Sequence, residues 1–291
     1  MKIGFHGKAF DADNNEFIKY VLDTVSSWNA LICVSESYAE HLENQRLLKS
    51  SMEVFDRHTN ISDLDLLITL GGDGTILDAV TYVGLSNVPI LGINTGLLVF
   101  LATTGKVAID AALTCIKNKS YTYDERALLH LDANPGVFGD ISFALNDFTI
   151  LKSDTSAMIV VHTYINDEFL NSYWADGVIV ATPTGSTGYS ISCGGPVVLP
   201  QSNNFIITPV SPHNLTVRPI VVSDTAKLRF VIEGRSKNFL ISLDSRFETV
   251  NEPIELSIRK ENFKIKLIKL TDHNYLKTLR QKLNWGLDVR N

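Results

Sequence analysis

The stretch LLITLGGDGTILDAV, residues 66–80, decides how the chain is read. Leu66-Leu67-Ile68-Thr69-Leu70 favours a buried strand, Gly71-Gly72-Asp73-Gly74-Thr75 a turn, and the following residues a helix. Gly71, Gly72 and Gly74 let the backbone turn sharply and bring its N–H groups close to an anion. A helix starting near Thr75 adds the positive end of its dipole. The loop therefore suits phosphate, yet it holds no lysine and its one charge is the acid Asp73. No Gly-Lys-Ser/Thr follows, so it is not a P-loop, and the GxGxxG dinucleotide fingerprint is absent as well. A carboxylate about 4 Å from a phosphate charge is repelled by about 4 kcal/mol at an effective dielectric near 20. Three roles for Asp73 stay open: contact with a metal that bridges phosphates, acceptance of a proton from a hydroxyl attacking phosphorus, or the cap of a helix in a plain tight turn.

Outward from this loop, the first third of the chain alternates strand and helix. Lys2–Phe5, Ala30–Val34, Leu64–Leu70 and Val88–Ile93 read as strands, the last closed by Gly96. Asn14–Trp28, with Phe17, Val21, Leu22, Val25 and Trp28 near helical spacing, reads as a helix, as do Ser37–Lys49 and Lys106–Lys117. Such alternation implies βαβ units and a mostly parallel sheet.

After about residue 120 the texture changes to short strands: Tyr121–Leu131, Ile141–Leu151, Ala157–Ile165, Gly177–Ala181, Phe205–Thr208, Ile220–Val222, Lys227–Ile232, Phe239–Leu243 and Ile254–Ile258. Asn166-Asp167 is a hairpin turn. Phe263, Ile265 and Leu267 alternate with lysines as in a half-exposed strand. His273–Trp285 closes the chain as a helix. The expected organisation is an α/β domain over 1–120, an all-β domain over 121–265, and a strand end and helix over 266–291 that return to the first domain.

The β half holds a second glycine-rich stretch. After the strand ending at Ala181 come Thr182-Pro183-Thr184-Gly185-Ser186-Thr187-Gly188-Tyr189-Ser190, then Gly194-Gly195-Pro196. It offers hydroxyls, free amides and an aromatic surface, or is a simple surface loop. Asn146-Asp147 interrupts an apolar strand. The amide of Asn146 suits an adenine edge and the carboxylate of Asp147 suits ribose hydroxyls; otherwise the pair marks a bulge with solvent-facing side chains.

Composition narrows the classes. Of 291 residues 45% are apolar and 20% charged, an ordinary globular balance. The net charge is −6 and no lysine–arginine block occurs, so no nucleic-acid partner is expected. Residues 1–10 are too polar for a secretory core, and no apolar run of about 18 residues exists to span a membrane. Cys33, Cys115 and Cys193 match no zinc or redox spacing, and the seven histidines form no HExxH or HxxxH pair. The expectation is a reduced, cytoplasmic protein with no metal site built from side chains alone.

The combination of Gly71–Thr75, Gly92-Ile93-Asn94-Thr95-Gly96, Asn146-Asp147, Asp176-Gly177, Thr182–Ser190, Gly194-Gly195-Pro196, Pro212-His213-Asn214-Leu215 and Arg218-Pro219-Ile220-Val221 resembles the NAD kinases over nearly the whole chain. The resemblance implies a Rossmann-like α/β domain followed by an all-β domain. It implies transfer of phosphate from ATP, with magnesium, to the 2′-hydroxyl of the adenosine ribose of NAD, giving NADP. Asp73 is then the proton acceptor. Gly71, Gly72, Gly74 and Thr75 form the phosphate loop, with Gly74 against the dinucleotide. Asn146 and Asp147 meet the adenosine half. Thr187, Gly188, Tyr189, Ser190, Ile191 and Ser192 wrap the dinucleotide, Asp176 reaches the nicotinamide end, and Asn94, Phe100 and Arg246 complete the contacts. The family also implies a homodimer or homotetramer in which Asp176 acts across subunits.

Many members carry Glu at Asp147, Ala at Gly188, Gly at Val99, Asp-Gly-Gln at Asp244-Ser245-Arg246, and some Arg at Trp174. These departures bear on the finer cofactor contacts and on the choice between NAD and NADH. A Gly-Gly-Asp-Gly-Thr loop also occurs in diacylglycerol and sphingosine kinases, where an Asn-Glu pair usually follows; here Ile76-Leu77-Asp78-Ala79 follows. A lipid kinase and a non-catalytic dinucleotide sensor are the competing readings.

Overall fold

The computed structural model describes residues 1–284 apart from 11, 97–99, 103, 154–157, 235–237, 252–253 and 271–273. Val99, Ala157, His273 and Trp285 therefore lie outside the described residues. The chain forms two compact units: Met1–Glu125 together with the chain from Ile265 onward, and Arg126–Lys264.

In the first unit, β1 (Lys2–Gly7), β2 (Leu31–Ser35), β3 (Glu53–Phe55), β4 (Leu66–Leu70) and β5 (Ile90–Asn94) pair in parallel in the order β3-β2-β1-β4-β5. The short β6 (Thr104–Gly105) also pairs with β5. β4 and β5 are buried along their whole lengths, as a parallel sheet covered on both faces requires. Helix α1 (Asn15–Ser26) buries Ile18, Val21, Leu22 and Val25, the i, i+3, i+4, i+7 stripe of an amphipathic helix. These side chains join Ile3, Phe5 and Ile68 of the sheet, and Tyr38 and Leu42 of α2 (Glu36–Asn44), in one core. Connections β1-α1-β2 and β4-α3-β5, with α3 over Asp73–Val83, run in opposite directions. Right-handed crossovers then place α1 and α3 on opposite faces. The remaining helix before the second unit is α4 (Ile109–Lys117), preceded by a 3₁₀ turn at Lys106–Ala108 rather than continuing as one helix.

The chain leaves the first unit within β7 (Thr122–Asn134) and returns within β18 (Glu255–Lys269). Between them lie β8 (Phe143–Ala144), β9 (Asp147–Lys152), β10 (Ile159–Ile165), β11 (Glu168–Ala175), β12 (Gly177–Ala181), the single turn α5 (Tyr189–Ser192), β13 (Asn204–Val210), β14 (Ile220–Ser223), β15 (Leu228–Gly234), β16 (Asn238–Leu243) and β17 (Arg246–Asn251). Six of them form an antiparallel sheet, β14-β13-β12-β9-β16-β17. Strands β11, β10, β15 and the start of β18 are antiparallel neighbours in a second sheet. Inward side chains of both meet in one core that includes Phe148, Val178, Phe205, Phe230, Phe239 and Leu256. The last helix, α6 (Tyr275–Leu283), starts at Asn274, whose side chain accepts the Leu276 N–H.

Three differences from the sequence reading have physical causes. The expected strand Ile141–Leu151 is interrupted at Leu145-Asn146, because the amides of Leu145, Asn146 and Asp147 donate to the Asp244 carboxylate instead of continuing a ladder. Ile254–Ile258 and the Phe263–Leu267 alternation are one long strand, β18. The three-residue β3 has too little apolar pattern to be read in advance. Asn166-Asp167 does turn the β10–β11 hairpin, with φ of 49° and 66°, as a type I′ turn needs.

Gly177 opens β12 where the sheet leaves no room: an added Cβ would lie 2.1 Å from Ile150 O and 2.6 Å from Leu151 Cδ2. Gly177→Ala should therefore lower the unfolding free energy by roughly 1–3 kcal/mol. Gly105→Ala, where nothing stands within 4 Å of the added atom, should stay within about 0.5 kcal/mol of the parent. Denaturant melts of the two variants check the pair.

Candidate active site

In the first unit β1 leads to β2 on one side and β4 to β5 on the other, so the carboxyl ends of β1 and β4 border a topological switch point. Ligands of open α/β sheets bind there. Lys8 follows β1, and Gly71–Thr75 follows β4. Gly71 is required by the fold, since its Cβ would meet Thr75 Oγ1 at 2.2 Å. Its N–H extends the ladder to Ile93 O, and the Gly72 carbonyl accepts the amides of Thr75 and Ile76 at the start of α3. Gly74 is different. A side chain there would meet only Lys8 Nζ, at 3.9 Å, so the fold does not demand its bareness. Asn94, at the end of β5, turns its own Oδ1 onto the Gly96 N–H at 2.9 Å.

Asp73 does not cap α3. It is the first residue of the helix, one place past the cap position of Gly72, which has no side chain to offer. Its carboxylate reaches across instead. Phe100 N–H donates to Oδ2 at 2.8 Å, and the amides of Leu101 and Ala102 donate to Oδ1 at 2.7 and 3.2 Å. A carboxylate has about four lone-pair sites, so three are used and one, on Oδ2, is left. The Phe100 ring lies 5.7 Å from the Lys282 ammonium of α6. Burial holds the Lys282 pKa below its usual range, and the Asp73 charge opposes that fall.

One turn further along α3, Asp78 stands 3.2 Å from His6 Nε2 and 2.7 Å from Arg57 Nη2. Burial pushes its pKa up. The hydrogen bond and charge of His6, with the charges of Arg57 and Lys8, outweigh this and hold it below the carboxylate norm. Sequence reasoning passed over Asp78, Lys8 and Lys282. Only their convergence on the switch point marks them.

In the second unit the structure gathers Asn146, Asp147, Gly185 and Gly188. A Cβ on Gly185 would lie 2.0 Å from Asn146 O, while one on Gly188 would lie 3.7 Å from both Asn146 Nδ2 and Asp147 Oδ2. Thr182 ties the glycine-rich stretch to the broken strand through Thr182 N–H to Asn146 O at 2.8 Å and Thr182 Oγ1 to Leu145 O at 2.5 Å. This stretch is no surface loop: Thr182, Thr184, Ser186 and Ser190 are buried, and Ser190 Oγ meets Thr208 Oγ1 at 2.9 Å. Tyr189 and Ser192 stay exposed, while Thr187, Gly188 and Ile191 are half-buried. Asn146 Oδ1 is buried without a partner among the described residues.

Asp244 supports this arrangement and was not singled out in advance. It accepts the amides of Leu145, Asn146 and Asp147 at 2.9, 2.7 and 3.1 Å. No local signal links position 244 to 145–147. Burial pushes its pKa up, against those three amides and the Arg246 charge. Asp147 is pushed up to about 8, first by burial and then by the charge of Asp244. The Arg246 guanidinium donates to the carbonyls of Ile141 and Phe143. Asp176 pairs with Lys152 at 2.7 Å. Among the described residues no group of three or more His, Cys, Asp or Glu is placed to hold a metal, and no helix is long and apolar enough to cross a membrane.

A parallel α/β unit with an acid-bearing glycine loop at its switch point has the architecture of a nucleotide-dependent phosphotransferase, and comparison with known proteins specifies which. The ATP-NAD kinase N-terminal domain profile matches residues 14–121, and the ATP-NAD kinase C-terminal domain profile matches residues 145–270. The NAD kinase of Cytophaga hutchinsonii is 50% identical over 292 residues, covering 100% of both chains. That of Flavobacterium johnsoniae is 43% identical over 294 residues, again covering 100% of both. A crystal structure of yeast NADH kinase complexed with NADH has a TM-score of 0.86 at 23% identity, covering 100% of this chain and 89% of that one. An Archaeoglobus fulgidus NAD kinase in complex with ATP gives 0.72 at 23%, covering 98% and 99%. These two solved structures bear on the fold alone. The chain belongs to the NAD kinase family, and the lipid-kinase reading of its glycine loop gives way.

Two predictions follow from the carboxylates. Below about pH 4 Asp147 is protonated whether the chain is folded or not. Between about 4 and the folded value of about 8 the folded chain keeps a proton that the unfolded chain has released, so folding loses up to about 1.4 kcal/mol per pH unit. Asp147→Asn, which mimics the neutral acid, should melt above the parent, with a gap that widens from pH 5 to pH 8 and then levels. Melting curves across that range check it, and a constant gap would contradict it. Asp73→Asn must turn an NH₂ toward one of three N–H donors. It should lose about 1–3 kcal/mol of stability, more than the exchange of one cap for another.

Proposed function

We propose that the enzyme phosphorylates the 2′-hydroxyl of the adenosine ribose of NAD, with ATP as donor and Asp73 as proton acceptor. The observation that carries this is the Asp73 carboxylate: three amides fix it at the phosphate loop, and one lone pair on Oδ2 remains for a hydroxyl. The ribose O–H gives its proton to Oδ2. The freed oxygen bonds to the terminal phosphorus of ATP as the bond from that phosphorus to the bridging oxygen breaks, and ADP leaves with the electron pair. Most of the catalysis is positioning and charge stabilisation.

Bare backbone at Gly74 gives the reacting groups room to approach. Asn146, with an unpartnered buried Oδ1, reads the adenine edge. Asp147, neutral below about pH 8, donates to the adenosine half. Thr187, Gly188, Tyr189, Ser190, Ile191 and Ser192 line the dinucleotide, and Asp176 takes the nicotinamide end. Magnesium enters as part of the substrate, bound to ATP, and offsets phosphate charge. Copies of the chain pair through the β unit in the cytoplasm. The support is its sheet edges, where Phe169 and Trp174 of β11, Val221 of β14 and Phe247 of β17 are exposed.

Incubation with Mg·ATP and NAD should give NADP, with phosphorus NMR placing the new group on the 2′-oxygen. Phosphate on another hydroxyl, or no product, would end the proposal. Asp73→Asn should lower kcat by about 10²–10⁴ while calorimetric NAD affinity changes far less. A folded variant with near-normal turnover would remove Asp73 from the chemistry. Light scattering should show a dimer or tetramer.

A further inference from the structure

A phosphate loop without a cation needs one from elsewhere, the more so because Asp73 adds negative charge beside the donor's phosphates. Two ammonium groups converge on Asp73-Gly74 from outside the loop. Lys8 extends from the opposite border of the switch point, and its Nζ stands 3.9 Å from where a Gly74 side chain would begin. Lys282 comes from α6, with its Nζ 5.7 Å from the centre of the Phe100 ring, and Phe100 is itself bound to Asp73.

We propose that Lys8 and Lys282 grip the phosphate chain of the triphosphate donor, one on each side of Asp73-Gly74. The inference rests on the phosphoryl-transfer reading of this site.

Some lysines with an acid in reach close on it: Lys49 on Asp23 at 2.6 Å, Lys152 on Asp176 at 2.7 Å, Lys2 on Asp63 at 2.8 Å. Lys8 and Lys282 have acids in reach of their fields, Asp78 and Asp73 respectively. Yet among the described residues neither ammonium is in a hydrogen bond or ion pair. The other nearby cation, Arg57, is committed to Asp78 at 2.7 Å and to the face of Tyr82 at 5.0 Å. Two cations are thus held off the neighbouring acids at a bare stretch of backbone. An ammonium carries three donors and no acceptor, and as a compact point charge it suits phosphate oxygens. Placed outside the loop, the lysines leave Asp73 free of a direct ion pair that would compete for its remaining lone pair.

The phosphate could instead be the pyrophosphate of the dinucleotide, and binding separates the two. Calorimetry with Mg²⁺ and a non-hydrolysable ATP analogue, and separately with NAD, is run on the parent, Lys8→Met, Lys282→Met and the two arginine variants. Each methionine variant should bind the analogue about 10- to 100-fold more weakly, with NAD affinity unchanged within about twofold. The arginine variants should recover part of the loss. Unchanged analogue affinity in Lys8→Met, or a loss confined to NAD, overturns the proposal. Lys8 is exposed, so Lys8→Met tests it even if Lys282→Met loosens α6. A parent that binds the analogue but makes no NADP defeats the reaction reading and leaves the lysine result standing.

Discussion

Three consecutive backbone amides, those of Phe100, Leu101 and Ala102, converge on the carboxylate of Asp73. The candidate site in the α/β unit depends on this contact. It joins the first turn of α3 to the segment beyond β5, so the glycine loop, Asp73 and Phe100 form one rigid constellation. An acid at the end of a free side chain would sample several rotamers and approach a substrate in few of them. Three charge-assisted bonds remove that freedom before any ligand arrives. Ala102 serves twice, since its Cα would lie 2.8 Å from a side chain on Gly92. The glycine in β5 thus allows the close approach that brings these amides within reach.

The β unit repeats the device with a different outcome. Asp244 accepts the consecutive amides of Leu145, Asn146 and Asp147. There the carboxylate serves to break a strand. The break leaves the side chains of Asn146 and Asp147 facing Gly188, and Thr182 closes on the carbonyls of Leu145 and Asn146. The same chemistry therefore presents the acid itself in one unit and the neighbours of an acid in the other.

Much of the architecture was legible because it rests on local pattern. Alternating strand and helix, the i, i+3, i+4 stripe of α1, and the Asn166-Asp167 turn each depend on residues close in sequence. The glycine loop was legible as the turn from strand to helix for the same reason. The cap role considered for Asp73 failed because a carboxylate at a helix start has competing partners, and residues 27 to 29 positions away won. Asp244 acts across roughly a hundred residues, and no periodicity reports that. Thr182–Ser186 looked like surface by composition. It is buried because its hydroxyls bond to nearby backbone, as Ser186 does with Pro183 O and the Val198 amide, so polar residues there carry no signal of exposure.

Asp147 shows why the β site is not built for stability. It is almost fully buried beside a second acid, Asp244, whose charge adds to burial in raising its pKa. An asparagine would sit there at lower cost, so the fold alone does not account for an acid. A neutral carboxyl group keeps both a donor and an acceptor at one position, and it becomes acceptor-only when ionised. With an apparent value near 8, this residue can change which hydrogen bonds it offers within the range in which cells operate. An exposed aspartate, ionised throughout that range, lacks this property. Burial, which costs the fold stability, is what places the change there.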